Sequence, residues 1–293
     1  MMFHLEKILV PVDFSDSNRI AVHQAGVLAR HFHSEVTLFH VNEFPSFYPL
    51  GGPLGYGITS MEAERAEHLS RCKKELDGFG AAELRDVAVQ RLLCSGDPAK
   101  LIAECARDQR SDLILMPTHG YGAFRRFLLG SVTAKILHDV DCPVWTGSHL
   151  TPAASRPLDI RHVMCAVNFG IQSSNVVHWA GVFASELGAK LTLIHVVLES
   201  PPGLPERYMF QWHEEAHEGA LERLRALLLD SGVHAELLVV SGGDVAQAIS
   251  AAAKEKDAGL LVIGRSCAGE EPKKPGSHSY PIICSAPCPV VSI

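Results

Sequence analysis

Leu113-Ile114-Leu115-Met116-Pro117-Thr118-His119-Gly120 begins the stretch whose reading decides the fold, and Gly130-Ser131-Val132-Thr133 resumes it nine residues later. The opening apolar run has the composition of a strand buried on both faces. Pro117 to Gly120 breaks that strand, and residues 132–138 read as the first turns of a helix. A second apolar run, residues 143–146, ends the stretch. A strand, a glycine turn and a helix start together make an anion site. The first N–H groups of a helix lack partners within it, and the helix dipole favours negative charge there. Gly130 lets backbone approach a phosphate closely, and the hydroxyls of Ser131 and Thr133 add donors. Glycines between a strand and a helix are also ordinary turn punctuation, so the spacing has to carry the reading.

Working outward, the chain repeats itself. Lys7-Ile8-Leu9-Val10-Pro11-Val12-Asp13-Phe14 aligns with His162-Val163-Met164-Cys165-Ala166-Val167-Asn168-Phe169. Val36-Thr37-Leu38-Phe39-His40-Val41 aligns with Leu191-Thr192-Leu193-Ile194-His195-Val196 at the same offset of 155 residues. Later, Ser95-Gly96-Asp97 matches Gly242-Gly243-Asp244, and Asp141-Cys142-Pro143-Val144 matches Pro287-Cys288-Pro289-Val290. The expected organisation is a domain over 1–147, a Pro- and Ala-containing linker over 148–159, and a second domain over 160–293.

Each half reads as five strands alternating with four helices. In the first half, strands are expected at residues 8–12, 36–41 and 87–93, and a helix at 19–32 behind a Ser15-Asp16-Ser17 cap. Gly51-Gly52-Pro53 and the glycines after it mark residues 42–60 as a long loop, followed by a polar helix over 61–76. Asp97-Pro98 caps the next helix, with proline at its first position. Strands alternating with helices demand right-handed crossovers, hence a parallel sheet covered on both faces. The fold class is therefore α/β, two consecutive doubly wound domains. In such sheets ligands bind beyond the carboxyl ends of the strands, where strand order reverses. Pro11-Val12-Asp13 ends the first strand and Met116 to Gly120 follows the fourth, so the two loops share a crevice if those strands are neighbours.

Composition narrows the function. Nearly half of the 293 residues are hydrophobic, which excludes a disordered chain, and the net charge is −7. Residues 1–147 hold 15 basic and 18 acidic side chains and residues 148–293 hold 11 and 15, so neither half suits nucleic acid. No apolar run approaches the ~20 residues that cross a bilayer, and the N-terminus lacks a signal-peptide pattern. A cytoplasmic protein with reduced thiols is expected. Cys284 and Cys288 do not read as a metal pair, because Cys288-Pro289 repeats Cys142-Pro143 and the first half has no cysteine at the position matching Cys284. His31 and His33 read as solvated surface.

Pro117-x2-Gly120-x9-Gly130-Ser131 resembles the nucleotide-binding signature of the universal stress protein family, Gly-x2-Gly-x9-Gly-Ser/Thr, with a proline at its first glycine. The proline removes one N–H donor. The resemblance runs over almost the whole chain as two consecutive family domains and implies a five-stranded parallel sheet of order 3-2-1-4-5 in each. It also implies an adenine nucleotide in the first domain: ATP, with ADP or AMP as alternatives, and Mg²⁺ as an optional companion. By that resemblance Asp13 contacts the nucleotide and Val41 belongs to the adenine pocket. Met116, Pro117, His119 and Gly120 form the fourth-strand loop, and Gly130, Ser131, Val132 and Thr133 form the phosphate-binding helix start, with Pro11 and Val12 beside Asp13. Read without the family, Asp13 serves equally well as a loop-bracing carboxylate and Val41 as plain core. Arg125 and Arg126 lie in the intervening loop, where they either clamp phosphate through their planar forks or stand in solvent.

The second copy departs from the signature. Asn168 replaces the aspartate, Ala166 replaces Pro11, Cys267 replaces the second glycine, and eight residues instead of nine precede Gly276-Ser277. Glu270 and Glu271 would repel phosphate. Weak or no nucleotide is expected there, with a structural or partner-binding role instead. The chain contains no Gly-x4-Gly-Lys-Ser/Thr, no Ser-Gly-Gly-x-Asp-Ser and no Gly-x-Ser-x-Gly. His119 is the one candidate base near the cradle. The first hypothesis is thus an ATP-binding stress or signalling module without catalysis, read by an unidentified protein partner. Its rivals are a slow Mg²⁺-dependent ATPase using Asp13 and His119, and a nucleotide-free interaction protein. The two halves are also expected to pair along their last strands, residues 143–146 and 289–293, as an intramolecular pseudo-dimer, with homodimerisation a further option.

Overall fold

Every second residue of Ile8-Leu9-Val10 faces a different layer, and this alternation sets the architecture seen in a computed structural model. It describes residues 4–43, 58–118, 129–147, 160–199, 205–265 and 278–293. The first half contains β1 (Lys7–Pro11), α1 (Asp16–Phe32), β2 (Glu35–Asn42), α2 (Ile58–Gly78), β3 (Val89–Ser95), α3 (Pro98–Gln109), β4 (Leu113–Pro117), α4 (Ser131–Asp139) and β5 (Val144–Gly147). The second contains β6 (His162–Ala166), α5 (Ser173–Glu186), β7 (Lys190–Leu198), α6 (Glu206–Ser231), β8 (Glu236–Gly242), α7 (Val245–Glu255), β9 (Leu260–Ile263), α8 (Ser279–Ser285) and β10 (Val290–Ser292).

The strands form one ten-stranded sheet of order β3-β2-β1-β4-β5-β10-β9-β6-β7-β8. Within each half the order is 3-2-1-4-5 and all pairings are parallel. The halves meet where β5 and β10 pair antiparallel, Val290 opposite Thr146 and Ser292 opposite Val144. This is the expected pairing along the last strands of the two halves, and it joins their five-stranded sheets into one. One face of the sheet packs under α1, α2, α5 and α6 through Ile8, Val10, Leu28, Leu76, Val176 and Leu224. The other packs under α3, α4, α7 and α8 through Leu9, Ile102, Ile136, Ile249 and Ile283. Both cores run without a break through the junction. On the first face Phe32 of α1 stacks on Phe183 of α5 at 5.8 Å, and Trp145 of β5 meets the same ring edge-on at 6.2 Å.

Local signals account for several helix starts. Ser15 accepts from the N–H of Asn18 as the α1 cap, and Asp97 accepts from that of Lys100 with Pro98 opening α3. Two boundaries differ from expectation. α2 begins at Ile58, inside the stretch read as loop, because no proline or glycine interrupts residues 58–77; residues 44–57 lie outside the described part. β3 lies two residues later than expected. Val87 donates to Leu84 O in a turn, while β2 runs on to Asn42 and pairs it with Ser95. Among the described residues no helix is long and apolar enough to cross a membrane.

The duplication extends to packing. Gly26 of α1 and Gly181 of α5 occupy equivalent sites, and each admits a neighbour too close for a side chain. A Cβ would lie 2.5 Å from Glu83 O at Gly26 and 2.5 Å from both Val233 methyls at Gly181. The backbone carbonyl cannot swing away, whereas the valine can rotate. Gly26→Ala is therefore expected to lower stability in urea denaturation by about 1–3 kcal/mol, an overpacking cost that exceeds the gain in helix propensity. Gly181→Ala should cost less. A Gly26→Ala protein as stable as the parent would contradict this packing.

Candidate functional site

β1 and β4 are adjacent and parallel, in register at Ile8 with Leu113 and Leu9 with Ile114. Their carboxyl ends therefore emerge side by side, with β2 on one flank. This is the reversal point of the first half: β2 and β3 extend the sheet one way, β4 and β5 the other. Pro11, Val12 and Asp13, Val41, Met116 and Pro117, and Gly130 to Thr133 gather at this end. His119 and Gly120 lie outside the described residues, as do Arg125 and Arg126.

The turn from β1 into α1 is braced from within. Asn18, buried in α1, donates to Pro11 O and accepts from the N–H of Asp13. Asp13 Oδ1 accepts from Ser15 N–H at 2.9 Å. The loop-bracing role weighed for Asp13 is thus occupied by one oxygen, and Oδ2 has no partner among the described residues. Between them Phe14 takes a left-handed backbone, φ 67°, which costs a non-glycine residue about 1 kcal/mol or more. Its ring packs 4.3 Å from that of His40. His40 Nδ1 lies 2.7 Å from Val12 O, so the proton sits on Nδ1 and the imidazole donates. Val12 N–H donates in turn to Phe39 O. Both backbone groups of Val12 are therefore engaged, and only its side chain, buried with the first core, is left to act.

The α4 start is tied to the end of β4. Gly130 N–H donates to Thr118 O at 2.8 Å, and Thr133 Oγ1 donates to Pro117 O at 3.2 Å. Gly130 is the N-cap at φ −61°, ψ 146°, a conformation open to any residue. What glycine supplies is therefore the missing side chain. With no side-chain cap on the helix, the N–H groups of Ser131, Val132 and Thr133 find no acceptor among the described residues. Ser131 is exposed, so this donor cluster opens to solvent, while Thr133 is buried and Met116, Val41 and Val132 pack with the second core. The arrangement can bind an anion at the start of α4 and a hydrogen-bond donor at Asp13 Oδ2. Among the described residues no group of three or more His, Cys, Asp or Glu side chains could hold a metal ion.

The second copy keeps the scaffold and loses pieces of the site. Phe169 is again left-handed, φ 58°, and its ring packs 4.3 Å from that of His195, whose Nδ1 lies 2.8 Å from Val167 O. Burial pushes the His195 imidazole below its ordinary value, with Arg223 adding to the effect and the hydrogen bond opposing it. Asn168 Oδ1 accepts from Gly170 N–H at 2.9 Å, so asparagine does the bracing done by Asp13 without the charge. Ser279 Oγ donates to Gly264 O as Thr133 does to Pro117 O. α8, however, has seven residues against nine in α4 and starts at Ser279, the counterpart of Thr133. Residues 266–277, including Ser266, Cys267, Gly276 and Ser277, lie outside the described part. Sequence reasoning missed the role of His40 and His195. The signal was available, since both histidines and both phenylalanines recur at the 155-residue offset. A shallow open groove between α3 and α4, walled by Asp97, Lys100, Lys135 and Asp139, carries both signs of charge and belongs to neither crevice.

Comparison with known proteins shows the family and the fold. A universal stress protein of Methanocaldococcus jannaschii is 31% identical over 141 residues, covering 47% of this chain and 79% of that protein. One from Thermus aquaticus is 31% identical over 137 residues, covering 47% of this chain and 94% of the relative. Among solved structures, a universal stress protein from Archaeoglobus fulgidus superposes with a TM-score of 0.68 at 23% identity, covering 99% of this chain and 97% of its own. A functionally unknown protein from Pseudomonas aeruginosa gives 0.64 at 18% identity, covering 99% and 92%. These two extend the likeness of fold over both halves. The sequence profile of the universal stress protein family matches residues 4–146 and again residues 159–293. The chain belongs to the universal stress protein family.

Proposed function

We propose that this protein binds one adenine nucleotide, ATP with ADP or AMP as alternatives, in the crevice of its first copy, and acts as a regulatory module in a stress response rather than as a catalyst. The single observation that carries the reading is the start of α4, which has no side-chain cap and whose first three N–H groups have no partner among the described residues, beside the end of β4 at the reversal point of the sheet. These amides, with the Ser131 hydroxyl, would hold the phosphates, and Asp13 Oδ2 would accept from the ribose or the base. Val41, half-buried at the end of β2, would supply apolar wall. Mg²⁺, where present, would travel on the phosphates. Bound nucleotide would alter a surface read by a protein partner, which requires that the partner distinguish the two states. The domains are taken as 1–147 and 160–293 about a linker, with the protein at work in the cytoplasm. The second copy would hold no nucleotide: its aspartate is asparagine and its helix starts late.

Two measurements test this. ATP at about a hundred times its Kd should add roughly 2.7 kcal/mol to the stability of the chain and raise Tm by roughly 4–8 °C, and calorimetry should find one equivalent per chain. No shift would remove the proposal, and two equivalents would remove the claim about the second copy. Asp13→Asn separates the two roles of that carboxylate, because Asn168 keeps the same turn bond in the second copy. The variant should be as stable as the parent, within about 0.5 kcal/mol. Its ATP affinity should fall about tenfold through loss of one acceptor. Unchanged affinity would leave Asp13 as a brace alone.

A further inference from the structure

The helix that would cradle phosphate is not held by its own half alone. Arg265 follows β9 on backbone that still runs beside β10: its N–H donates to Ile293 O at 2.8 Å, and Ile293 N–H donates to Ile263 O at 2.9 Å. From that fixed base the side chain crosses into the first copy. Nη1 donates to Leu137 O at 3.2 Å and Nη2 to Cys142 O at 2.8 Å. Leu137 lies in the last turn of α4, where carbonyls have no partner within the helix, and Cys142 lies just before β5. The guanidinium thus puts a positive charge at the negative end of the α4 dipole. Tyr280 of α8 adds a third bond, its hydroxyl donating to Ala134 O at 2.9 Å. Burial raises the Tyr280 phenol above its ordinary value, with Asp139 adding to the effect, so it remains a donor at neutral pH.

These contacts run one way. The bonds of Thr133 to Pro117 O and of Ser279 to Gly264 O mark equivalent positions in the two copies. The residues that follow are therefore counterparts: Thr118 of Arg265, and Ala134 of Tyr280. Neither threonine nor alanine can reach back to α8 as arginine and tyrosine reach to α4. Thr118 is buried in its own half, its carbonyl accepting from Gly130 N–H. The long side chains stand only in the copy whose nucleotide signature has decayed, and both of them end on the helix of the copy that keeps it.

We propose that Arg265 and Tyr280 are positioning residues for the phosphate site of the first copy, so that the second copy serves as a brace that holds α4 in its binding pose. The inference rests on the nucleotide reading above. It implies that binding energy at the first site depends on side chains of the second that touch no ligand, and that the dependence falls on phosphate rather than on nucleoside.

The test uses the full-length chain, its Arg265→Ala variant, and Tyr280→Phe, which removes one hydroxyl and leaves the ring packed. ATP and adenosine binding are measured by calorimetry, and hydrogen exchange of α4 amides is followed without ligand. The expected result is a five- to tenfold loss of ATP affinity in the variants, unchanged adenosine affinity, and faster exchange confined to α4. A parent that binds ATP and variants that bind it equally well would overturn the proposal. So would equal losses for ATP and adenosine, the mark of general destabilisation. If the parent binds neither ligand, the nucleotide reading fails by itself and α4 exchange decides the brace: faster in both variants upholds it, unchanged overturns it.

Discussion

The antiparallel ladder between β5 and β10 is the constraint on which the rest of the molecule depends. A doubly wound half with strand order 3-2-1-4-5 ends in β5, whose outer edge would present unpaired N–H and C=O groups beside an apolar surface. Here that edge is closed by its own duplicate. Trp145 and Val291 face each other across the ladder under the first layer of helices, while Val144 and Val290 lie under the second. Thr146 Oγ1 donates to Val290 O, adding a side-chain bond to the backbone pairing. Each core therefore continues from one half to the other. Phe183 marks the seam, in contact with Phe32 and Trp145 of the first half and with Trp179 of its own.

Once the copies are joined this way, they are free to diverge. The scaffold of the crevice is the same in both: a left-handed phenylalanine, a histidine donating to the carbonyl one residue past the first strand, and a hydroxyl tying the fourth helix to the fourth strand. What differs is the equipment for a ligand. The first copy keeps a carboxylate with one oxygen unpartnered among the described residues and a nine-residue helix without a side-chain cap; the second has an amide, a seven-residue helix, and an arginine spent on its neighbour. The shared features brace turns and set strand ends, so losing them would cost stability in either copy. The features that differ cost nothing to lose where no ligand is held.

Much of this was legible in the chain. The apolar runs at residues 8–12 and 113–116, the Asp97-Pro98 cap and the fixed 155-residue offset led directly to paired doubly wound halves, because strand burial, capping and duplication leave marks in local residue order. That Asp13 and the α4 start belong to the same end of the sheet was legible only on condition that β1 and β4 were neighbours, a long-range pairing that no local pattern encodes; the family resemblance supplied it. The double role open to Asp13 could not be divided from sequence, since the Ser15 amide that takes one oxygen is a backbone group. Arg265 was passed over for a related reason. Read along the chain it is one arginine after a strand in a decayed loop, and its meaning lies in carbonyls of residues 137 and 142, which any sequence would supply. His40 is the one omission that repetition could have repaired.

The central claim is that one copy binds and the other supports. The most direct measurement follows backbone amide resonances of the full chain during titration with ATP. The account predicts that Ser131, Val132 and Thr133 shift and saturate together, while Ser279 and the amides after Asn168 stay in place. Matching shifts at the starts of α4 and α8, or no shift at either, would contradict it.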